Sequence, residues 1–372
     1  MIQPTISYLT DVYFGFGVSD VVPDLLAAYG IRRPLMVTDP GLSDLGIAKR
    51  VCLHEAPVYS GVKTNPSEPQ VLDALEVYRT GRCDGVVAVG GGSSIDLAKC
   101  AGILVGHEGP LESYALRRGG TERITRRIPP IVAVPTTAGS GSEVGRAALV
   151  TLGSGDKVAI LSRYLTPAAA VCDPELTLTM PPALSAGTGM DAISHCVETF
   201  CSTRYNPVAD AIALDGLQRG CRHIATVFGD GRNREARKGM MMCALQGGLA
   251  FQKSLGAVHS LSHPLGSLDR SLHHGTLNGL FLPAVLRFNA DYCADRLDAM
   301  ARRLRLKKGS DMPEYFEALN RQLGIPESLS DLGVTREVLE PLAAKAAADH
   351  CSPTNPRPLD EAACRMLYLS VL

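Results

Sequence analysis

Apolar positions follow two rhythms along the chain. Up to about residue 180 they come as short uninterrupted runs, at Pro34–Thr38 (PLMVT), Gly85–Val89 (GVVAV) and Ile131–Val134 (IVAV). None alternates strictly with polar residues, which is the pattern of strands buried on both faces in a parallel sheet covered by helices. Helical spacing is predicted between them at residues 19–29, 67–79 and 93–104, giving the β-α-β order of a doubly wound α/β domain. After Met180-Pro181-Pro182 the texture changes. From Leu184 onward the chain is rich in Ala, Leu, Arg and Met at helical spacing, so residues 1–180 are expected to form an α/β domain and residues 181–372 an all-α one.

Composition narrows the class. The chain has 372 residues, 45% of them hydrophobic, enough for a sizeable core. Lys plus Arg number 37 against 38 Asp plus Glu, so no global positive field exists to hold a polyanion, and nucleic acid is excluded as an expected partner. The densest basic stretch, Arg117–Arg127, reads as a solvated loop. Eleven Cys, with no C-x-x-C pair, suit neither a disulfide framework nor a zinc ribbon. The opening residues MIQPTISYLTDVYFG lack a basic segment followed by an apolar one, and no run approaches the roughly 20 apolar residues that span a bilayer. A cytoplasmic chain with reduced thiols and no membrane partner is expected.

A glycine-rich turn carries the first chemistry. Gly90-Gly91-Gly92-Ser93-Ser94-Ile95-Asp96 follows one apolar run and opens a predicted helix. Glycines there admit close approach of a phosphate, which the N–H groups and dipole of a helix N-terminus attract. The same residues could simply form a turn with Ser93 as a helix cap. The motif is not G-x-G-x-x-G, so the domain is Rossmann-like in general plan only. A second polar turn, Pro135-Thr136-Thr137-Ala138-Gly139-Ser140-Gly141-Ser142-Glu143, also follows a strand, and loops at strand carboxyl ends gather on one edge. Asp39 ends the run Val37-Thr38-Asp39-Pro40. A carboxylate there accepts hydrogen bonds from a ribose diol and repels a 2′-phosphate, favouring NAD(H) over NADP(H); its alternative use is to form the turn itself.

Histidines carry the second. Of nine His, four fall between residues 259 and 274: His259, His263, His273 and His274. His259 and His263 are four apart, as are Asp191 and His195, so each pair leaves one face of a predicted helix. Two such pairs with His274 could surround a divalent cation. We take Asp191, His195, His259 and His274 as the ligands, with His263 beside them and His273 as the alternative to His274. An O/N donor set without thiolate suits Fe(II), Zn(II), Mn(II) or Ni(II). His54, His107, His223 and His350 stand alone in the sequence.

Together these motifs resemble the iron-containing, group III alcohol dehydrogenases. The resemblance runs through GGGSSID (Gly90–Asp96), PTTAGSGSEV (Pro135–Val144), MPPALSAGTGMDAISHCVE (Met180–Glu198), LGAVHSLSHPLG (Leu255–Gly266), HHGTLNGLFLP (His273–Pro283) and TNPRP (Thr354–Pro358). It implies the fold shared with dehydroquinate synthases, a dinucleotide-binding α/β domain followed by a helical metal-binding domain. It also implies dinucleotide contacts at Asp39, Asn65, Gly91, Gly92, Ser93, Asp96, Thr136, Thr137, Ser140 and Lys157, and metal ligation by Asp191, His195, His259 and His274. The implied metal is Fe(II), with Zn(II) as the alternative, and the implied assembly a homodimer or larger. Relative to that pattern the chain is one residue longer between His263 and Gly275 and one shorter between Phe251 and His259. Ala284 stands where many relatives carry His.

The expected reaction is hydride transfer between nicotinamide C4 and a small alcohol or aldehyde whose oxygen meets the cation. His263 is the expected proton relay or nicotinamide-positioning residue. Arg146 and Lys253 are the cations that could hold an acidic tail, as in a hydroxy acid or semialdehyde. Two alternatives are a metal- and NAD-dependent lyase of the dehydroquinate synthase type and a metal hydrolase. The first needs a basic cluster for a phosphorylated substrate that the motifs do not supply, and the second leaves the nucleotide turns without purpose.

Overall fold

A computed structural model describes residues 10–51, 56–268 and 272–372; His54 lies outside them. By its contacts the chain divides into two compact units: one runs to Thr137 and resumes over Gly141–Leu178, and the other comprises Ala138–Ser140 and Thr179–Leu372.

Among the described residues the first unit has eight strands: β1 (Asp11–Phe14), β2 (Pro34–Val37), β3 (Val58–Tyr59), β4 (Gly85–Gly90), β5 (Ile131–Pro135), β6 (Ala147–Thr151), β7 (Lys157–Leu161) and β8 (Ala169–Cys172). Six form a parallel sheet in the order β1-β8-β5-β4-β2-β3, while β6 and β7 make a separate antiparallel pair. The apolar runs are unbroken because both faces are buried. Leu35, Val37, Val86, Ala88, Ile131 and Ala133 enter one core, and the intervening Met36, Val87, Val89, Val132 and Val134 enter another. Helices α1 (Val22–Ala28), α2 (Pro40–Asp44), α3 (Ile47–Val51), α4 (Glu68–Thr80) and α5 (Gly92–Gly106) complete the unit. Ser67 begins α4 with a capping box closed by Gln70. Residues 19–29, expected to be one helix, split into a 3-10 turn at Val18–Val21 and α1, whose second residue is Pro23.

Connections decide where a ligand fits this sheet. The chain leaves β2 toward β3 on one side and leaves β4 toward β5 on the other, so the strand order reverses between β2 and β4. A doubly wound sheet opens a crevice at the carboxyl ends of such a pair.

The second unit is helical: α6 (Pro182–Cys201), α7 (Pro207–Gly229), α8 (Arg234–Ala250), α9 (Ala257–Leu268), α10 (His274–Asn289), α11 (Ala294–Leu304), α12 (Met312–Gln322), α13 (Arg336–Ala347) and α14 (Glu361–Ser370). α10 packs against both α6 and α9. Glycine makes the α6 approach possible: a Cβ on Gly275 would lie 2.2 Å from the Gly187 carbonyl oxygen and 2.9 Å from Asp191 Cβ. No helix among the described residues is long and apolar enough to cross a membrane.

Candidate metal centre and dinucleotide edge

Three helices bring four expected ligands together. Asp191 and His195 leave the same face of α6, His259 comes from the first turn of α9, and His274 opens α10. Asp191 Oδ1 is the focus. It lies 3.8 Å from His195 Nε2, 3.6 Å from His259 Nε2 and 3.6 Å from His274 Nε2. Asp191, His195 and His259 each offer one donor atom within 4.8 Å of one another, close enough to share a divalent ion, and His274 Nε2 approaches the same Asp191 oxygen. The side chains of Asp191, His195 and His259 are at most 8% exposed and that of His274 26%.

The charges agree with the geometry. Burial alone would raise the Asp191 carboxyl, but the imidazoles of His195, His259 and His274 hold it well below the usual carboxylate range. Burial lowers His195 to about 4. Burial would also lower His259, yet the Glu198 and Asp191 carboxylates raise it to about 9.

His273 and His274 have different tasks. His273 is the N-cap of α10, its Nδ1 accepting from the Thr276 N–H at 3.3 Å. His274 turns its Nε2 to Asp191. His263 stands one turn beyond His259, its ring 5.3 Å from that of His274 and within 7° of parallel, with Nδ1 3.0 Å from Asp349 Oδ2. His350, solitary in the sequence, also stacks on His263, at 5.4 Å and 9°.

Three residues at this centre escaped the sequence reading. Glu198 Oε2 hydrogen-bonds His259 Nδ1, and Glu198 Oε1 accepts from the Val258 N–H at 2.6 Å. Asn278 sends its amide nitrogen to Asp191 Oδ1 at 2.7 Å, within 3.2 Å of His259 Nε2 and 3.1 Å of His274 Nε2. Asp349 holds His263. The first two carried a signal: Glu198 lies three residues past His195 and Asn278 four past His274, each on its ligand's helix face. Asp349, 86 residues from His263, carried none.

The other expected residues belong mostly to the sheet edge. Asp39 follows β2, Gly91 to Ser93 follow β4, and Thr136 and Thr137 follow β5, at the carboxyl ends of three neighbouring strands. No side chain caps α5, and a Cβ at Gly90 would lie 2.3 Å from Ser94 Oγ, so the turn is bare backbone at a helix N-terminus. Asp39 caps α2 through the Leu42 N–H at 3.0 Å, so turn formation uses one of its oxygens. Asn65, at φ 54°, accepts from Lys157 Nζ at 2.8 Å, while its own Nδ2 is buried without a hydrogen-bond partner. A polar ligand at this edge fits these residues. Asp96 is turned inward instead, with Oδ1 accepting from Ser142 Oγ at 2.5 Å and Oδ2 from the Leu149 N–H at 3.0 Å. Ser140 groups by its contacts with the helical unit.

Lys253 departs from expectation. It is 1% exposed, and its Nζ bonds Asp210 Oδ1 at 2.5 Å, so its charge is committed inside the protein and is withdrawn as a substrate partner. Arg146 is half-buried just ahead of β6.

Comparison with known proteins decides the family. Residues 10–174 match the model of the iron-containing alcohol dehydrogenases, and residues 185–372 match the C-terminal model of the same family. The chain belongs to the iron-containing alcohol dehydrogenase family. This iron-containing alcohol dehydrogenase is 48% identical to 4-hydroxybutyrate dehydrogenase of Cupriavidus necator over 95% of each chain. It superposes on the crystal structure of a 1,3-propanediol oxidoreductase with a TM-score of 0.92 at 34% identity, covering 99% of this chain and 100% of that one. The structure of sulfoacetaldehyde reductase from Bifidobacterium kashiwanohense, solved in complex with NAD+, matches with a TM-score of 0.89 at 29% identity over 100% and 99% of the two chains. The protein is an oxidoreductase acting on CH–OH groups with a nicotinamide acceptor, and the fold expected from the sequence is the one observed.

Proposed function

We propose that this chain interconverts a small ω-hydroxy acid and its semialdehyde, using NAD(H) and a divalent cation held by Asp191, His195, His259 and His274. The observation that carries the reading is the convergence of three imidazole Nε2 atoms on Asp191 Oδ1 within 3.8 Å. Fe(II) is the cation proposed first and Zn(II) second, because an N/O donor set without thiolate accepts both. When bound, such a cation draws electron density from the substrate oxygen, which eases proton loss in oxidation and steadies the developing negative charge in reduction.

The chain's own residues supply the rest. Glu198 holds His259 at Nδ1, which keeps its Nε2 aimed inward. Asp349 holds His263 at Nδ1, so Nε2 is the atom that exchanges the proton. The bare turn at Gly90–Ser93 takes the pyrophosphate, Thr136 and Thr137 line the neighbouring loop, and Asn65 with Lys157 adds polar contacts. Asp39 selects NAD(H). The carboxylated substrate class is supported by the relative named 4-hydroxybutyrate dehydrogenase. A cytoplasmic setting is supported by ten described cysteines that are all unbridged, and we take the assembly to be a homodimer or larger.

The test follows NADH absorbance with the semialdehyde of 4-hydroxybutyrate and with butanal, before and after metal stripping and after resupply of Fe(II) or Zn(II). Loss on stripping, recovery with one metal and preference for the acidic aldehyde are expected. Unchanged turnover after verified stripping contradicts the metal assignment, and equal kcat/KM for the two aldehydes contradicts the substrate class.

A further inference from the structure

Beside the four expected ligands lies a second group of side chains with metal-binding chemistry. His263, Asp349, His350 and Cys351 each present one ligand atom, and these atoms lie within 4.8 Å of one another. His263 Nδ1 is 3.0 Å from Asp349 Oδ2, His350 Nδ1 is 3.4 Å from Asp349 Oδ1, and His350 Nε2 is 3.5 Å from Cys351 Sγ. A single cation takes one atom from each residue, and four such atoms within 4.8 Å of one another can close to the roughly 3.4 Å edges of a tetrahedral zinc site by side-chain rotation.

The turn that carries three of them is fastened to α9, which carries the fourth. Ser352 Oγ donates to Ser260 Oγ at 3.0 Å, Asn355 Oδ1 accepts from the Ala257 N–H at 3.1 Å, and Asp349 Oδ1 accepts from the Cys351 N–H at 2.9 Å. A cation therefore meets donors on a fastened turn instead of recruiting them from a loose loop. The donor set also differs from the first group by its sulfur. Two imidazoles, one carboxylate and one thiol match borderline-soft Zn(II), whereas Mg(II) and Ca(II) demand oxygen.

We propose that His263, Asp349, His350 and Cys351 form a second, inhibitory divalent-cation site of zinc class, distinct from the Asp191 centre and filled only when Zn(II) is in excess. Binding deprotonates the Cys351 thiol, releases that proton to solvent and takes the lone pair of a ring nitrogen of His263. His263 is then fixed and no longer exchanges a proton. The inhibition, though not the metal count, rests on the role given above to His263.

The experiment uses the metal-loaded enzyme dialysed against graded Zn(II), with bound metal counted by elemental analysis and NADH turnover read in parallel. Two metal equivalents per chain and progressive inhibition are expected for the unaltered protein. His350→Asn and Cys351→Ser should each bind one equivalent, keep their turnover without added Zn(II), and lose at least tenfold in sensitivity to it. Co(II) in place of Zn(II) should give a near-ultraviolet thiolate charge-transfer band that Cys351→Ser abolishes. One equivalent in the unaltered protein, or undiminished Zn(II) binding in both folded variants, overturns the proposal.

Discussion

Glu198 on α6 holds the first turn of α9 at two points: one carboxylate oxygen bonds the His259 imidazole Nδ1, and the other accepts the N–H of Val258, the residue before it. The ring is thereby fixed in tautomer and direction, with Nε2 toward Asp191. Supports of this kind typically carry 10–100-fold in metal affinity. Glu198→Gln is expected to weaken metal retention by about that factor, read by competition against a chromophoric chelator. Turnover should return with excess metal, and unchanged affinity would remove the role given to Glu198.

The adjacent histidines separate two kinds of effect. His273→Ala removes the α10 cap at Thr276 and should cost about 1 kcal/mol in denaturant unfolding while leaving metal content intact. His274→Ala should strip the metal with little loss of stability. The reverse pattern would exchange their roles.

How far the sequence revealed this arrangement depends on the distance over which each feature is encoded. β2, β4 and β5 were legible because every one of their residues is buried, so nothing polar interrupts the runs. β3 has two residues, and β7 is half-buried at four of its five positions, so neither leaves a clear period. Asp191, His195 and His259 were readable from helical spacing. His274 was already preferred to His273 in the sequence, and the structure separates them by setting His274 Nε2 3.6 Å from Asp191 Oδ1 while His273 caps α10; Lys253 could be withdrawn only once Asp210, 43 residues away, was seen against it. Pairings of that length leave no local pattern.

The proposed preference for NAD(H) is assigned to Asp39. Its carboxylate stands at the end of β2, beside the crevice where the strand order reverses, and also caps α2. Asp39→Ser keeps a capping oxygen but removes the charge that repels a 2′-phosphate. The ratio of kcat/KM for NADP(H) to that for NAD(H) should rise at least tenfold, with unfolding changed by less than about 1 kcal/mol. An unmoved ratio would take the selectivity away from Asp39.

Glu143 gives a pH dependence. Burial raises its carboxyl from an ordinary 4.5 to about 7, with nearby Lys99 offsetting only part of the shift. The folded state thus holds this proton more tightly than the unfolded one. The contribution is fully present below 4.5 and is lost as pH rises through about 7, amounting to roughly 3 kcal/mol by linkage. Glu143→Gln, which keeps the neutral shape, should match the unaltered protein in urea unfolding at pH 4.5 and exceed it at pH 8. Equal stabilities at pH 8 would show that the carboxylate is accommodated in the fold.

Substrate charge leaves one cation to test and one to serve as control. Lys253 is buried against Asp210, which Arg296 also contacts at 2.7 Å, so Lys253→Met leaves the carboxylate one partner and should cost about 2 kcal/mol in stability. Its preference for acidic over neutral aldehydes should stay unchanged. Arg146→Met should do the opposite, lowering kcat/KM for the semialdehyde of 4-hydroxybutyrate about tenfold against butanal, the equivalent of one lost charge-assisted contact of about 1.4 kcal/mol. The effect should fall on KM, because the tail is held equally before and during the reaction and its binding does not distinguish the transition state. If kcat alone fell, and equally for both aldehydes, Arg146 would be supporting the loop ahead of β6, and recognition of the acid would have to come from another residue.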